Sequence, residues 1–423
     1  MTTHWAPGEE HELFMQWAIS QGVIVNGVAP ARFPGRGLGM IAKRNIQENE
    51  VLVSVPRGVM LTADDIPSSI TSRFPQGTPV HALLVAFLCN GNPEDLEPYE
   101  LWRKTWPTRK DFENCMPILW SESWRNCIHR FDSPSTDRPT LLPPSISGCW
   151  KSIQKPQLEF KYESSHQNLL AQQERRLRNA WDSVVAVFPE TDWETFSYHW
   201  LIVNTRSFFF LMPGQEPPQD RNDAMALLPF ADYFNHSDVA CKVKFDGQAY
   251  VFRAAEAYDA GEEIFMSYGP HPNDFLLTEY GFYLDRNEFE VLYLDDIIFQ
   301  DLDPTLQGEL NLQQYYGNYQ VMSSGVCYRT EIAACMRYMS LEDWRNYALG
   351  YSTRGVDAQK SQNVIRGWIN TYVEEANATI DELKRLEPGK VGREADGRVQ
   401  MLLKRWRQVK DLCLKALQET ASI

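Results

Sequence analysis

The stretch from Ala224 to Phe282 restricts the fold more than any other part of the chain. An apolar run, Met225 to Phe230, leads into a polar cluster, Asp232 with Asn235-His236-Ser237. Asp246-Gly247 then sits between two strand-like segments, the pattern of a tight hairpin. A third apolar run, Ile264-Phe265-Met266, ends at Ser267-Tyr268-Gly269, and Tyr280-Gly281-Phe282 closes the stretch. Polar groups thus arrive at the ends of strands, where a rigid scaffold holds a site in place.

The 423 residues are 43% hydrophobic, enough for a large core divided into more than one domain. A net charge of -15 argues against a nucleic-acid partner and suits a basic protein partner. The eight cysteines include no CxxC or CxC pair, so no zinc site, and no metal site of any kind, is expected. The beginning, MTTHWAPGEEHELF, has neither the basic-then-apolar order of a signal peptide nor the arginines of a transit peptide. No apolar stretch approaches the ~20 residues that span a bilayer. An intracellular, reduced chain is expected, so the formal sequons at Asn235 and Asn377 carry no glycan in this reading.

Taken in order, residues 9–20 predict a helix with Leu13, Phe14, Trp17 and Ala18 on one face and Gly22 at its end. Ala31 to Ala42 is glycine-rich, and Val51 to Val55 reads as a strand. Gly37-Leu-Gly39-Met-Ile-Ala42 formally matches the dinucleotide fingerprint GxGxxA. That fingerprint needs a strand before it and a helix after it, and here Pro34-Gly35 precedes and Lys43-Arg44-Asn45 follows. Two readings stay open: a plain β-turn, or a loop whose glycines let the backbone approach a ligand.

Residues 60–212 read as mostly helical, with helices at Val80–Leu88, Gln167–Phe188 and Trp193–Leu211 and Pro-rich loops at 133–144 and 213–223. Within the third helix, Asn204-Thr205-Arg206-Ser207 interrupts an apolar run. Either Arg206 emerges on a polar face, or it is buried and meets a partner. After Phe282, acidic residues from Asp285 to Asp303 surround a strand at Val291–Leu294; they read first as solvated surface and second as a guide for a basic substrate. Apolar stripes over Val364–Leu386 and Val399–Leu417 predict a helical hairpin.

The chain holds no GxSxG elbow, P-loop or HExxH. His236 and Asp232 lie four residues apart, which does not make a triad, and the eight histidines are scattered. Read together, however, Gly35-Arg-Gly-Leu-Gly39, Asn235-His-Ser, Gly261-Glu-Glu-Ile with Tyr268, and Glu279-Tyr-Gly-Phe282 follow the ordered motifs of SET-domain methyltransferases. The chain most resembles the branch of the RuBisCO large-subunit lysine methyltransferase. Phe14-Met-Gln-Trp17, Trp102 to Trp120 and Thr205-Arg206-Ser207 extend the resemblance over nearly the whole length.

The resemblance implies an α+β chain: a β-rich SET fold over residues 1–300, a helical insert at about 60–212, and an all-α substrate-binding domain over 301–423. It implies S-adenosylmethionine as cofactor. Arg36, Gly37, Leu38 and Gly39 would present backbone groups to it. Asn235 and His236 would hold its methionine and adenine ends, Arg206 its carboxylate, and Phe282 its adenine. Tyr268 would be the catalytic tyrosine, with Thr205, Asp232 and Tyr280 on the substrate side. Where the family expects a second arginine one turn after Arg206, this chain has Phe210.

The implied activity is methylation of a lysine in a non-histone protein, such as a ribosomal protein or translation factor. The expected enzyme is a cytoplasmic or nuclear monomer, with neither nucleic acid nor membrane as partner. A histidine acceptor and an inactive SET-fold interaction module are the alternatives.

Overall fold

The computed structural model describes residues 5–125, 140–156, 158, 160–162, 164–218, 220, 223–386 and 393–419. Much of the loop expected at 133–144 lies outside them. The chain forms two compact units, one from residues 1–112 and 174–270, the other from 113–173 and 271–423.

Among the described residues the first unit holds ten strands: β1 (Ile24–Val25), β2 (Val28–Phe33), β3 (Gly37–Ala42), β4 (Val51–Pro56), β5 (Ser207–Phe209), β6 (Met225–Leu227), β7 (Asn235–His236), β8 (Lys242–Phe245), β9 (Ala249–Arg253) and β10 (Glu263–Met266). One four-stranded sheet has the order β1-β4-β9-β8 and another β2-β3-β10-β7. The expected Asp246-Gly247 hairpin joins β8 to β9. Gly247 sits at φ 94°, and the Asp246 carboxylate accepts from the Gln248 and Ala249 amides at 2.9 Å.

The glycine-rich segment is itself a strand. β3 pairs along β2 from Val28↔Ala42 to Phe33↔Gly37, and no helix follows it before β4. The dinucleotide reading therefore fails on structure as well as on context. Helix Glu9–Ser20 buries His11, Phe14 and Ala18, whereas Leu13, expected on the buried face, is 45% exposed.

The helix expected over 193–211 stops at Arg206. Ser207 turns extended, and Ser207–Phe209 becomes β5, pairing antiparallel with Met225–Leu227. The expected strand at 225–230 is correspondingly short. Phe230 adopts φ 72°, a left-handed conformation that strains a bulky residue by roughly 1–3 kcal/mol. Burial of its ring among Phe14 and Tyr233 holds it there and turns the chain into Ala231–Tyr233, a single 3-10 turn.

In the second unit, helices Ala358–Arg385 and Arg393–Glu419 pack together as the predicted hairpin. Ile365, Trp368, Ile369, Tyr372, Ala376, Ile380 and Leu383 form the buried stripe of the first. A small sheet of Leu292–Tyr293, Gln320–Met322 and Gly325–Val326 accompanies them.

Several members of the acidic stretch are internal hydrogen-bond acceptors rather than solvated surface. Glu290 and Asp274 clasp Arg405, a fully buried guanidinium, at 2.7 and 2.8 Å. Asp295 accepts from the Asn318 and Tyr319 amides, and burial pushes its carboxyl up to about 6. Asp301 accepts from the Trp368 indole, and Asp303 caps helix Pro304–Leu312.

Six described cysteines (89, 115, 241, 327, 335 and 413) form no disulfide, but Cys149 is disulfide-bonded, which departs from the reduced chain expected.

Candidate functional site

The site grows from the one parallel strand pairing among the described residues. β7 runs beside β10 with Asn235 opposite Phe265 and Met266 opposite His236. This register brings the Asn-His pair next to the strand that delivers Tyr268. The Tyr268 amide donates to His236 Nδ1 at 3.0 Å, and its ring stacks on the imidazole with centroids 5.2 Å apart. An Nδ1 that accepts places the ring proton on Nε2. Burial also pushes the imidazole pKa down, against a weaker opposing pull from Asp238, which favours the neutral ring. The Tyr268 hydroxyl donates to the Phe234 carbonyl at 2.7 Å.

On the other side of Asn235 lies the glycine turn. Asn235 Nδ2 donates to the Leu38 carbonyl at 2.9 Å and to Glu263 Oε1 at 2.8 Å. Arg36 Nη2 lies 2.5 Å from Glu263 Oε2, and its guanidinium stands 5.6 Å from the rings of Phe33 and Phe265. A Cβ on Gly39 would fall 2.5 Å from Glu263 Oε1 and 2.6 Å from Asn235 Nδ2, so only glycine fits. A Cβ on Gly37, at φ 75°, would meet nothing within 4 Å. The backbone there faces open space.

Arg206 is one-sixth exposed and has a partner. Its Nη1 donates to the Asp232 carbonyl at 3.0 Å and to Asp232 Oδ2 at 2.7 Å, and that carboxylate also accepts from the Trp102 indole at 3.0 Å. Burial pushes the Asp232 carboxyl up, while Arg206 and Trp102 hold it down. Arg206 Nε and Asp232 Oδ1 are buried without a hydrogen bond among the described residues. Each is a place where a ligand group would complete the set. Thr205 donates its hydroxyl back to the Leu201 carbonyl at 2.8 Å, leaving its oxygen lone pairs as acceptors. Phe210 lies under the Arg57 guanidinium at 5.4 Å, so a cation does stand at that position, carried by a different element.

The first unit thus gathers Arg36, Gly37, Leu38, Gly39, Asn235, His236 and Tyr268 around one strand pair, with Arg206, Thr205 and Asp232 leading into it. Tyr280 and Phe282 belong to the second unit, where their ring centroids lie 6.2 Å apart. Glu263 and Trp102 were not among the expected site residues, yet both hold residues that were. The Gly-Glu-Glu-Ile motif carried the signal for Glu263. The residues present fit S-adenosylmethionine: an arginine with a spare buried donor for a carboxylate, an open glycine backbone and an aligned amide.

The parallel Asn-His strand thus edges one four-stranded sheet, with a tyrosine anchored beside it. Residues 37–269 match the SET domain, and residues 291–419 match the ribosomal lysine N-methyltransferase 2 C-terminal domain. The chain belongs to the SET-domain family. It is 26% identical over 383 residues to SET domain-containing protein 4 of Mus musculus, covering 86% of this chain and 81% of that protein. It is 29% identical over 214 residues to ribosomal lysine N-methyltransferase set11 of Schizosaccharomyces pombe, covering 48% and 55%. In fold it is similar to Rubisco LSMT bound to AdoMet, with a TM-score of 0.57 at 14% identity over 98% of this chain and 94% of that one.

Proposed function

We propose that this chain methylates a lysine of a non-histone protein, a ribosomal protein or translation factor, and that Tyr268 is its catalytic tyrosine. The chain is an S-adenosylmethionine-dependent protein-lysine N-methyltransferase. The observation that carries the residue assignment is the anchoring of Tyr268 to Phe234 and His236, directly beside Asn235. The C-terminal match and the set11 relative, a ribosomal lysine N-methyltransferase by name, support the substrate class.

The bound cofactor supplies an electrophilic methyl on a sulfonium. The chain's own work is alignment of a neutral amine, since methyl transfer is an in-line displacement. A free lysine titrates near ~10.4, so its proton must leave before attack. Tyr268 gives its O–H to a backbone carbonyl, which turns its lone pairs to the incoming group. It therefore orients the amine as an acceptor rather than by donating to it. Arg206, held by Asp232, would bind the cofactor carboxylate, and Asn235 and His236 its remaining polar ends. In this reading residues 301–423 hold the substrate protein, Tyr280 lines the lysine channel, and Phe282 covers the adenine.

The enzyme would act as a monomer in the cytoplasm or nucleus, without nucleic acid or membrane as partner. No helix among the described residues is long and apolar enough to cross a membrane. The test is transfer of labelled methyl from S-adenosylmethionine into the proteins of a cell extract, followed by acid hydrolysis. Label in methyl-lysine of a ribosomal protein or translation factor supports the reading. Label in methylhistidine, or none at all, contradicts it.

A further inference from the structure

We propose that Glu263 is a positioning residue that fixes the direction of the Asn235 amide, so that Asn235 meets the cofactor with its carbonyl oxygen and binds its α-ammonium group. The proposal rests on the methyltransferase reading above.

A free asparagine amide can face either way, and its direction is set by the groups around it. At Asn235 both Nδ2 hydrogens are used: one goes to the Leu38 carbonyl at 2.9 Å, the other to Glu263 Oε1 at 2.8 Å. Both partners offer only lone pairs when Glu263 is ionised. Reversing the amide would set Oδ1 against two acceptors, which leaves one orientation. Oδ1 is then the amide atom with no hydrogen bond among the described residues. The ligand atom it meets must be a donor, and the cofactor's amino-acid end carries one strong donor, the ammonium.

Glu263 is itself fixed. Its side chain is 2% exposed, and its other oxygen is paired with Arg36. β10 places it opposite Ile41 in the neighbouring strand, so it cannot slide along the sheet. Burial pushes its carboxyl pKa up, and Asn235 and Arg36 pull it back toward the charged form. The missing side chain at Gly39 completes the arrangement, because a methyl there would push the carboxylate and the amide apart. The same three residues therefore shape the turn, clamp Arg36 and aim Asn235.

The test compares S-adenosylhomocysteine with its analogue lacking the α-amino group, by calorimetric titration of the full-length protein, with thermal unfolding of each variant alongside. Wild type should lose roughly tenfold in affinity on deamination, the scale of a charge-assisted hydrogen bond. Glu263→Met should bind the amino-bearing ligand about tenfold more weakly than wild type and the deaminated one almost equally well. Equal weakening for both ligands would mean general damage to the site and would overturn the proposal. Glu263→Gln keeps a carbonyl acceptor for Asn235 and should keep the preference for the amino group. A Gln variant as indifferent as the Met variant would also overturn it, and this arm still decides if Glu263→Met does not fold. If wild type binds neither ligand, the methyltransferase reading itself is wrong and the proposal goes with it.

Discussion

Tyr268 donates its hydroxyl to the carbonyl of Phe234 at 2.7 Å, while its amide donates to His236. The side chain is thereby locked to the residue immediately before the Asn-His strand. Removing only the hydroxyl should spare the cofactor contacts and lose the oxygen that orients the amine. Tyr268→Phe is expected to lower turnover by roughly a hundredfold or more, in the range of one positioned catalytic group. Its affinity for S-adenosylmethionine should stay within about twofold of wild type, as read by calorimetry.

Asn235→Ala removes both the amide carbonyl and two hydrogen bonds that tie the glycine turn to β10. Cofactor affinity should fall by roughly ten- to a hundredfold, with a stability loss of about 1–3 kcal/mol. Denaturant unfolding beside a binding titration separates the two effects. Unchanged affinity would remove Asn235 from the site.

Asp232 is a buried carboxylate shared by Arg206 and Trp102. Asp232→Asn leaves a largely buried guanidinium without its counter-charge and should destabilise the protein by about 3 kcal/mol. Trp102→Phe removes one donor and some packing, and should cost about 1–2 kcal/mol while weakening the cofactor several-fold through a loosened Arg206. Equilibrium unfolding of both variants checks the order. A Trp102 variant more damaging than the Asp232 variant would contradict the ion-pair account.

His81 stacks on Trp200 at 4.8 Å, and burial pulls its pKa down to about 4. In the unfolded chain the ring takes a proton below about 6.5. Between about pH 4 and 6.5 the unfolded state therefore binds the extra proton, and stability falls as pH is lowered through that window. His81→Phe keeps a ring against Trp200 and cannot titrate. Its pH dependence of unfolding should be shallower than wild type there, by up to about 1.4 kcal/mol per pH unit. Parallel curves for the two proteins would contradict a neutral buried His81.

Much of the scaffold was legible because it rests on local signals. Asp246-Gly247 announces its hairpin, and the stripe from Ile365 to Leu383 announces its helix. Arg206 was legible as a break in an apolar run, open between a polar face and burial, and the partner that decides between them, Asp232, was not legible. The end of its helix was missed because β5 exists only by pairing with Met225–Leu227, a contact no local pattern reports. Glu263 and Arg405 look like ordinary surface charges in their own segments. Their burial follows from strand β10 lying against β3 in one case, and from Asp274 and Glu290 approaching from a distant part of the chain in the other. Leu13 erred the other way, since helical spacing fixes a face but not its edge.

Calorimetric titration of the full-length chain with S-adenosylmethionine probes the assembled site most directly. One saturable binding event is predicted, weakened at least tenfold by Arg206→Met and left nearly intact by Tyr268→Phe. A titration without binding heat across several temperatures, or an Arg206→Met variant that binds like wild type, would contradict a cofactor cleft built from the Gly37 turn, Arg206 and Asn235.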